Sequence, residues 1–301
     1  MKPICGNMDM TPELIRLDEI TNWATPGSCQ RLKMLRLDLI HPVVSGNKWF
    51  KLKYNIAAAQ EAGKNHILSF GGGYSNHLVA TAYAAKQFGF KSTGIVRGHY
   101  EGEHLSPSLK ACMDFGMELI LFDKAKYLQY SGRLCNELQD EYPDAWIVPE
   151  GGANEAGVKG AMEIADFIPQ GTTHVCCAVG TGSTITGLGL ALPKEISLNA
   201  FCAARSCEEA EQLWERSLGD KNTPASHQVL DLRFGKWTPE LREFMLEFRL
   251  RTEIPLDIVY TGKMMQKVEQ LLQNDYFGRD SRIVCLHTGG LQGNPPAFFE
   301  D

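Results

Sequence analysis

No Cys-x-x-Cys pair and no Cys/His spacing of the kind that holds zinc occurs in this 301-residue sequence, and its nine cysteines are odd in number. A structural metal centre and a disulfide framework are therefore disfavoured. The thiols are expected to be reduced and mostly buried, with the adjacent Cys176 and Cys177 in an interior strand. Long apolar runs are missing as well: no stretch approaches bilayer-spanning length, and the first twenty residues have no basic region followed by an apolar one. A cytoplasmic protein is the expectation. Charge of one sign is also scarce. The net charge of −6 arises from interspersed acids and bases, which argues against nucleic acid as partner and favours a small molecule; the missing apolar runs argue against a membrane. What remains, 44% hydrophobic and 22% charged over a length too great for one ordinary core, suits two α/β lobes.

From residue 50 onward, apolar β-like runs alternate with helical patterns, and Gly or Pro marks the switches, a rhythm that predicts parallel sheets. Helices are predicted over 52–62, 77–88, 109–115, 128–138 and 156–167, and strands over 66–70, 94–96, 118–122 and 146–148. Further on come strands at 175–179, 200–203, 229–232 and 283–286 and helices at 208–217, 239–250 and 262–272. The front strand, 34–40, has no βα partner beside it and is expected to join the second lobe's sheet. Residues 52–152 would then form a small α/β domain inserted into a larger one built from 1–51 and 153–301.

Ligands of open parallel sheets gather beyond the carboxyl ends of strands, where helix N-termini present free N–H groups. Four such places stand out. Ser45-Gly46-Asn47-Lys48-Trp49-Phe50-Lys51 puts two lysines three residues apart at a helix start. A lysine beside a second cation, or in an apolar wall, holds its proton less firmly and serves as nucleophile and base. Gly71-Gly72-Gly73-Tyr74-Ser75-Asn76-His77 joins a strand to a helix and offers hydrogen-bonding side chains at the positive helix end, suited to a carboxylate or a phenolic oxygen. Gly180-Thr181-Gly182-Ser183-Thr184 follows the most apolar strand and reads as a phosphate cup. It lacks the Lys-Ser/Thr ending of a Walker loop and the G-x-G-x-x-G pattern, which disfavours ATP and NAD. The last pair is Tyr260-Thr261-Gly262-Lys263 and His287-Thr288-Gly289-Gly290; a lone histidine such as His287 is more often structural than catalytic. One lysine, one phosphate cup, one anion-binding turn and no metal cluster suggest pyridoxal 5'-phosphate.

In this order the motifs SGNKWFKL, GGGYSNH, VGTGST, VYTGK and HTGG resemble the family of 1-aminocyclopropane-1-carboxylate deaminase and D-cysteine desulfhydrase, within the tryptophan synthase β-like pyridoxal enzymes. The resemblance runs from about residue 43 to 290. It implies a two-domain, three-layer αβα fold (fold type II), a homodimer, and a small amino acid as substrate. It implies that Lys48 carries the cofactor, that Lys51 lies beside it, and that Asn76 bonds its ring hydroxyl. Thr181, Gly182, Ser183 and Thr184 would hold the phosphate, and Thr261 would face the pyridine nitrogen. Ser75, Asn76, His77, Tyr260 and Thr288 would meet the substrate, with Lys48, Tyr260 and Ser75 as movers of protons.

Two positions separate the branches. Cyclopropane deaminases carry Glu after the tyrosine and Leu in the last motif; Thr261 and Thr288 stand there in this sequence. A carboxylate facing the pyridine nitrogen would keep it protonated by charge pairing, whereas a hydroxyl offers a neutral hydrogen bond and a weaker electron sink. Loss of a good leaving group such as a thiolate demands less of the sink than opening a three-membered ring. The resemblance therefore implies α,β-elimination to a 2-oxo acid and ammonia, as in D-cysteine desulfhydrase. Cyclopropane-acid deamination is the alternative, as is a pyridoxal-binding protein with little catalysis. The FGKWTP segment at 234–239, with Trp237, departs from the family's tyrosine-bearing loop, and the tail after Gly290 departs from its pattern.

Overall fold

In the computed structural model the alternation resolves into two largely parallel sheets. The structure describes residues 9–21, 31–98, 104–203, 207–219, 221–228, 236–295 and 298, leaving aside the side chains of 129–137 and 228. Along the chain come β1 (Leu17–Glu19), β2 (Arg31–Arg36), α1 (Asn47–Glu61), β3 (His66–Gly72), α2 (Asn76–Phe88), β4 (Lys91–Arg97), α3 (Pro107–Asp114), β5 (Met117–Phe122), α4 (Lys124–Glu141) and β6 (Ala145–Val148). Then follow α5 (Glu155–Met162), β7 (His174–Val179), α6 (Ser183–Ala191), β8 (Ser197–Cys202), α7 (Glu208–Leu218), β9 (Ala225–Gln228), α8 (Pro239–Thr252), α9 (Thr261–Gln273) and β10 (Arg282–His287).

The chain divides into two compact units. One contains His41–Val44 and Lys48–Gly160 and holds a four-stranded sheet of order β5-β4-β3-β6, parallel throughout. Leu68, Phe70, Ile95 and Tyr127 pack on one side of it, and Leu78, Val79, Val96 and Leu109 on the other. The second contains Thr11–Ile40, Ser45–Asn47 and Ala161–Asp301. Its sheet has the order β1-β2-β10-β7-β8-β9, parallel except for β1 against β2. β7 is buried along nearly its whole length, as expected of a central parallel strand covered on both faces, and for that reason its sequence reads as continuous apolar residues.

Several sequence expectations are corrected. The strand expected over 34–40 is β2, which ends at Arg36 and passes into a 3-10 turn, Leu37–Ile40. The cause is local: the buried Arg36 guanidinium grips Asp38 from Nε (2.9 Å) and Nη2 (2.7 Å), an i,i+2 fork that closes a turn. Arg36 also reaches Asp18 at 2.9 Å, tying the edge strand β1 to this turn. The helix expected over 156–167 ends at Met162 and continues as a 3-10 helix, Glu163–Phe167. The strand expected at 229–232 lies outside the described residues.

Reduced thiols throughout are also corrected at one place. Cys202 and Cys207 form a disulfide joining the end of β8 to the start of α7, their Cα atoms 5.6 Å apart, within the ordinary bridging range. Cys112, Cys176, Cys177 and Cys285 are buried thiols. Burial pushes the Cys112 thiol up to about 12 and the Cys176 thiol well above its usual range, so neither is a ready nucleophile. No helix among the described residues is long and apolar enough to cross a membrane.

Candidate active site

In the first unit, β3 delivers the chain into the glycine turn and α2 leaves it. Ser75 is the N-cap of α2: its Oγ accepts from the Leu78 N–H at 3.2 Å. Gly71 must lack a side chain, because a Cβ there would fall 2.5 Å from Ser75 Oγ. The N–H groups of the first helical turn, Asn76 and His77 among them, have no carbonyl of their own helix to bond and face beyond it. Asn76 is buried, and its Oδ1 has no hydrogen-bond partner among the described residues.

His77 can be assigned a proton arrangement from its neighbours. Ser69 Oγ donates its hydrogen to the Val148 carbonyl (2.9 Å), so at 3.0 Å from His77 Nε2 it can only accept. Nε2 therefore carries the ring hydrogen, and the buried Nδ1, without a partner among the described residues, presents a bare lone pair. Burial drives the imidazole pKa down to about 3, with the charges of Lys51 and then Lys48 adding to the effect. Both lysines thus lie within electrostatic reach of His77. Lys48 is half-buried in the first turn of α1. Lys51, one turn on, is buried, and its Nζ donates to the Gly151 carbonyl at 3.1 Å. Gly152, with φ +69°, packs against both: a Cβ there would meet Lys51 Cβ at 3.2 Å and His77 Cε1 at 3.7 Å. The first unit gathers Lys48, Lys51, Ser75, Asn76 and His77 in this way.

In the second unit, β7 runs into the 180–184 turn. Gly182 has φ +87°, and a Cβ on it would lie 2.8 Å from Ala210 Cα, so α7 closes against this turn and only glycine fits. α6 starts at Ser183, whose Oγ is buried and has no partner among the described residues; the same holds for Thr186 Oγ1 one turn later. Two buried hydroxyls without partners among the described residues thus stand in the first turn of a helix beside a glycine turn, where helix N–H groups are also free. Thr181 is half-buried on the turn. Thr184 is buried, and its Oγ1 accepts from Asn47 Nδ2 at 2.8 Å. Asn47 is the residue before Lys48 in the chain.

Tyr260 is half-buried, and its hydroxyl lies 3.1 Å from where a Cβ on Gly180 would stand. Thr261 opens α9 and is fully buried. Its hydroxyl donates to Asp257 Oδ1 (2.7 Å) and accepts from the Asp257 N–H (2.8 Å). Asp257, 1% exposed, also accepts from the N–H groups of Thr261 (2.8 Å), Tyr260 (2.9 Å) and Val259 (3.0 Å), and so caps the helix. His287 is structural: its Nε2 donates to the Pro255 carbonyl at 2.7 Å, while Nδ1 accepts from Gly289 N–H at 3.3 Å. Thr288, 2% exposed, lies on the next residue, and its carbonyl backs the 45–47 turn. The second unit gathers Thr181 to Thr184, Tyr260, Thr261 and Thr288. Trp237 is not among these: its ring meets Phe298 edge-on at 5.2 Å, and the rest of its loop, 229–235, lies outside the described residues.

The turn before Lys48 depends on Gly46. Its φ is +66°, and a Cβ would stand 2.0 Å from the Thr288 carbonyl oxygen, a backbone atom that cannot swing aside. The positive φ alone costs an L-residue about 1–2 kcal/mol. Gly46→Ala is therefore expected to destabilise the protein by more than that, measured by urea unfolding. Wild-type stability in this variant would contradict the packing described.

Sequence reasoning missed Asn47, Thr186 and Asp257. Asn47 sits inside a motif that was singled out for its lysines. Asp257 carries an available signal, an acid placed three residues before the helix N-cap.

The sequence pattern described as "Pyridoxal-phosphate dependent enzyme" matches residues 25–289. A Pyrococcus horikoshii protein, provisionally named a 1-aminocyclopropane-1-carboxylate deaminase, is 28% identical over 280 residues, covering 86% of this chain and 84% of its own. The D-cysteine desulfhydrase of Yersinia enterocolitica is 27% identical over 322 residues, 98% of this chain and 94% of its own. Among solved structures, an ACC deaminase homologue superposes with a TM-score of 0.81 at 25% identity, covering 96% of this chain and 93% of that one. With its mixed α/β fold of parallel sheets and this match over most of its length, the chain belongs to the pyridoxal-phosphate dependent enzymes of fold type II and is a lyase of that family.

Proposed function

We propose that this lyase removes the β-substituent of a small amino acid, giving a 2-oxo acid and ammonia, with D-cysteine as the substrate type that suits it best, and that it works as a cytoplasmic homodimer. The residues present fit the cofactor. Ser183 Oγ and Thr186 Oγ1 are buried donors without partners at the N-terminus of α6, and Asn76 Oδ1 is a buried acceptor without one, all judged among the described residues. In this reading Lys48 Nζ would hold the cofactor at its aldehyde carbon. Thr181, Gly182, Ser183 and Thr184 would hold the phosphate, Asn76 would take the ring hydroxyl, and Thr261 would meet the ring nitrogen. When bound, pyridoxal phosphate supplies a sink for the electron pair left on the α-carbon.

The chain's own groups do the rest. Lys48 Nζ, freed when the substrate's amino group takes its place, takes the α-proton. Tyr260 Oη, held against Gly180, returns a proton to the leaving sulfur. Ser75 Oγ accepts from Leu78 N–H and so keeps its hydrogen for the substrate carboxylate, with the first N–H groups of α2 beside it. Thr288 borders the substrate. His77, neutral and with a lone pair on Nδ1, suits a donor on the substrate, its amino group, rather than the carboxylate. Lys51, tied to Gly151, supplies fixed positive charge.

The observation that carries the choice of substrate is the uncharged residue at 261: no carboxylate stands directly after Tyr260 to pair with the ring, which favours loss of a good leaving group over ring opening. Ring opening of 1-aminocyclopropane-1-carboxylate is the second reading, favoured by the name of the Pyrococcus relative. Cofactor-loaded enzyme is expected to release pyruvate and sulfide from D-cysteine at least about tenfold faster, in kcat/KM, than 2-oxobutyrate from the cyclopropane acid, a margin of about 1.4 kcal/mol in transition-state stabilisation. The reverse ranking selects the second reading. No 2-oxo acid from either substrate would leave a cofactor-binding protein with little catalysis.

A further inference from the structure

Gly182 is a glycine for its backbone, with φ +87° and Ala210 Cα 2.8 Å from where a Cβ would stand. Gly180, two residues earlier, needs another explanation. Its φ is not positive, so an L-residue could take its conformation. It is exposed, just beyond the carboxyl end of β7, so no core packs on it. The three atoms nearest to a Cβ built there all belong to one side chain: Tyr260 Oη at 3.1 Å, Cε1 at 3.2 Å and Cζ at 3.5 Å. What a side chain at 180 would meet is the half-buried phenol of Tyr260.

That phenol cannot yield by moving its backbone. The Tyr260 N–H is bonded to Asp257 Oδ2 at 2.9 Å, and the Tyr260 carbonyl accepts from the Met264 N–H at 3.0 Å as α9 begins. The N–H groups of Val259 and Thr261 hold the same carboxylate on either side. A methyl group at 180 would stand 3.2 Å from Cε1, inside the roughly 3.5–4.0 Å usual between carbon atoms. The ring must then turn about its side-chain torsions, and the hydroxyl leaves its place by a few tenths of an ångström.

We propose that Gly180 is a positioning residue for Tyr260: lacking a side chain, it seats the phenol hydroxyl against the turn after β7 and makes the enzyme selective for β-substituents that need a proton to depart. This rests on the reading of Tyr260 as the donor of that proton. In the elimination the α-proton goes to Lys48 Nζ, and the electron pair it leaves closes the Cα–Cβ double bond. The Cβ–S bond breaks with its pair going to sulfur, which takes the Tyr260 proton and departs as hydrogen sulfide; water then restores the phenol. Chloride, a far weaker base, departs with its pair and no proton. A displaced hydroxyl therefore handicaps the thiol substrate and spares the chloride.

The test compares Gly180→Ala holoenzyme with wild type on D-cysteine and on β-chloro-D-alanine, the same skeleton with chloride for the thiol, and reads cofactor affinity by absorption titration. The value of kcat/KM for D-cysteine is expected to fall about tenfold, as for a proton donor displaced by less than an ångström, with β-chloro-D-alanine turnover and cofactor affinity unchanged. Tyr260→Phe is expected to show the same selective loss, larger. A D-cysteine rate that does not fall, equal losses on the two substrates, or a cofactor affinity that falls with the thiol rate overturns the proposal, since the last two mark a general disturbance of the turn. A second measurement needs neither cofactor nor turnover. In protein carrying 13Cζ-tyrosine, the Tyr260 signal, identified as the one of nine missing from Tyr260→Phe, is expected to move in Gly180→Ala while the rest stay. An unmoved signal overturns the seating. Wild-type protein that releases no 2-oxo acid from either substrate removes the functional reading and the leaving-group role with it, and the carbon signal still decides the seating.

Discussion

Lys48→Ala will leave a folded chain with no yellow, lysine-linked cofactor band and with turnover reduced by about 10²–10⁴-fold, the range for losing a positioned proton-transfer group. The expectation follows from geometry as well as chemistry. Lys48 lies half-buried in the first turn of α1, and the turn before it is held by Asn47 on Thr184 and by Gly46 on the Thr288 carbonyl. Lys51 is a poor substitute, because its amine is turned toward the Gly151 carbonyl, 3.1 Å away. Added alkylamine is expected to restore part of the activity of Lys48→Ala, and Lys51→Ala to keep the cofactor band. Unchanged spectrum and turnover in Lys48→Ala would make the lysine a surface residue and end this account.

The second large effect is on acid stability. The folded pKa of His77, about 3, lies below the ordinary value of 6.5, so as pH falls the unfolded chain takes up its proton first. Stability from this group is complete above about pH 6.5 and is lost as pH falls toward 3. The slope approaches ~1.4 kcal/mol per pH unit and the total reaches roughly 5 kcal/mol, a large share of the 5–15 kcal/mol of a typical domain. His41, His66, His174 and His227 are also shifted down by burial and add smaller slopes of the same sign. Urea unfolding between pH 7 and 4 should therefore show steeply falling stability in the wild type and a much flatter profile in His77→Gln. Equal slopes in the two proteins would mean that His77 is not held neutral.

Much of this architecture was legible because local signals and burial agreed. The HILSFGGGYSNH stretch changes from a strand pattern to a helical one across glycines, and the structure puts β3, the Ser75 cap and α2 there. β7 was legible as an unbroken apolar run because both its faces are covered. The misses have a common origin in side-chain bonds that sequence patterns do not encode. Arg36 forks onto Asp38 and ends β2 early, although residues 37–40 read as more strand. Cys202 and Cys207 are brought together by the passage from β8 to α7, a closeness that their spacing of five does not announce. The cap that Asp257 and Thr261 make for α9 rests on side-chain bonds that a spacing of four does not announce.

The most direct test of the account is a crystal structure of the cofactor-loaded enzyme. Continuous density from Lys48 Nζ into a pyridine ring, with the phosphate against Gly182, Ser183 and Thr184, is the predicted result. A Lys48 amine in open solvent, with the cofactor absent or joined to another lysine, would contradict it.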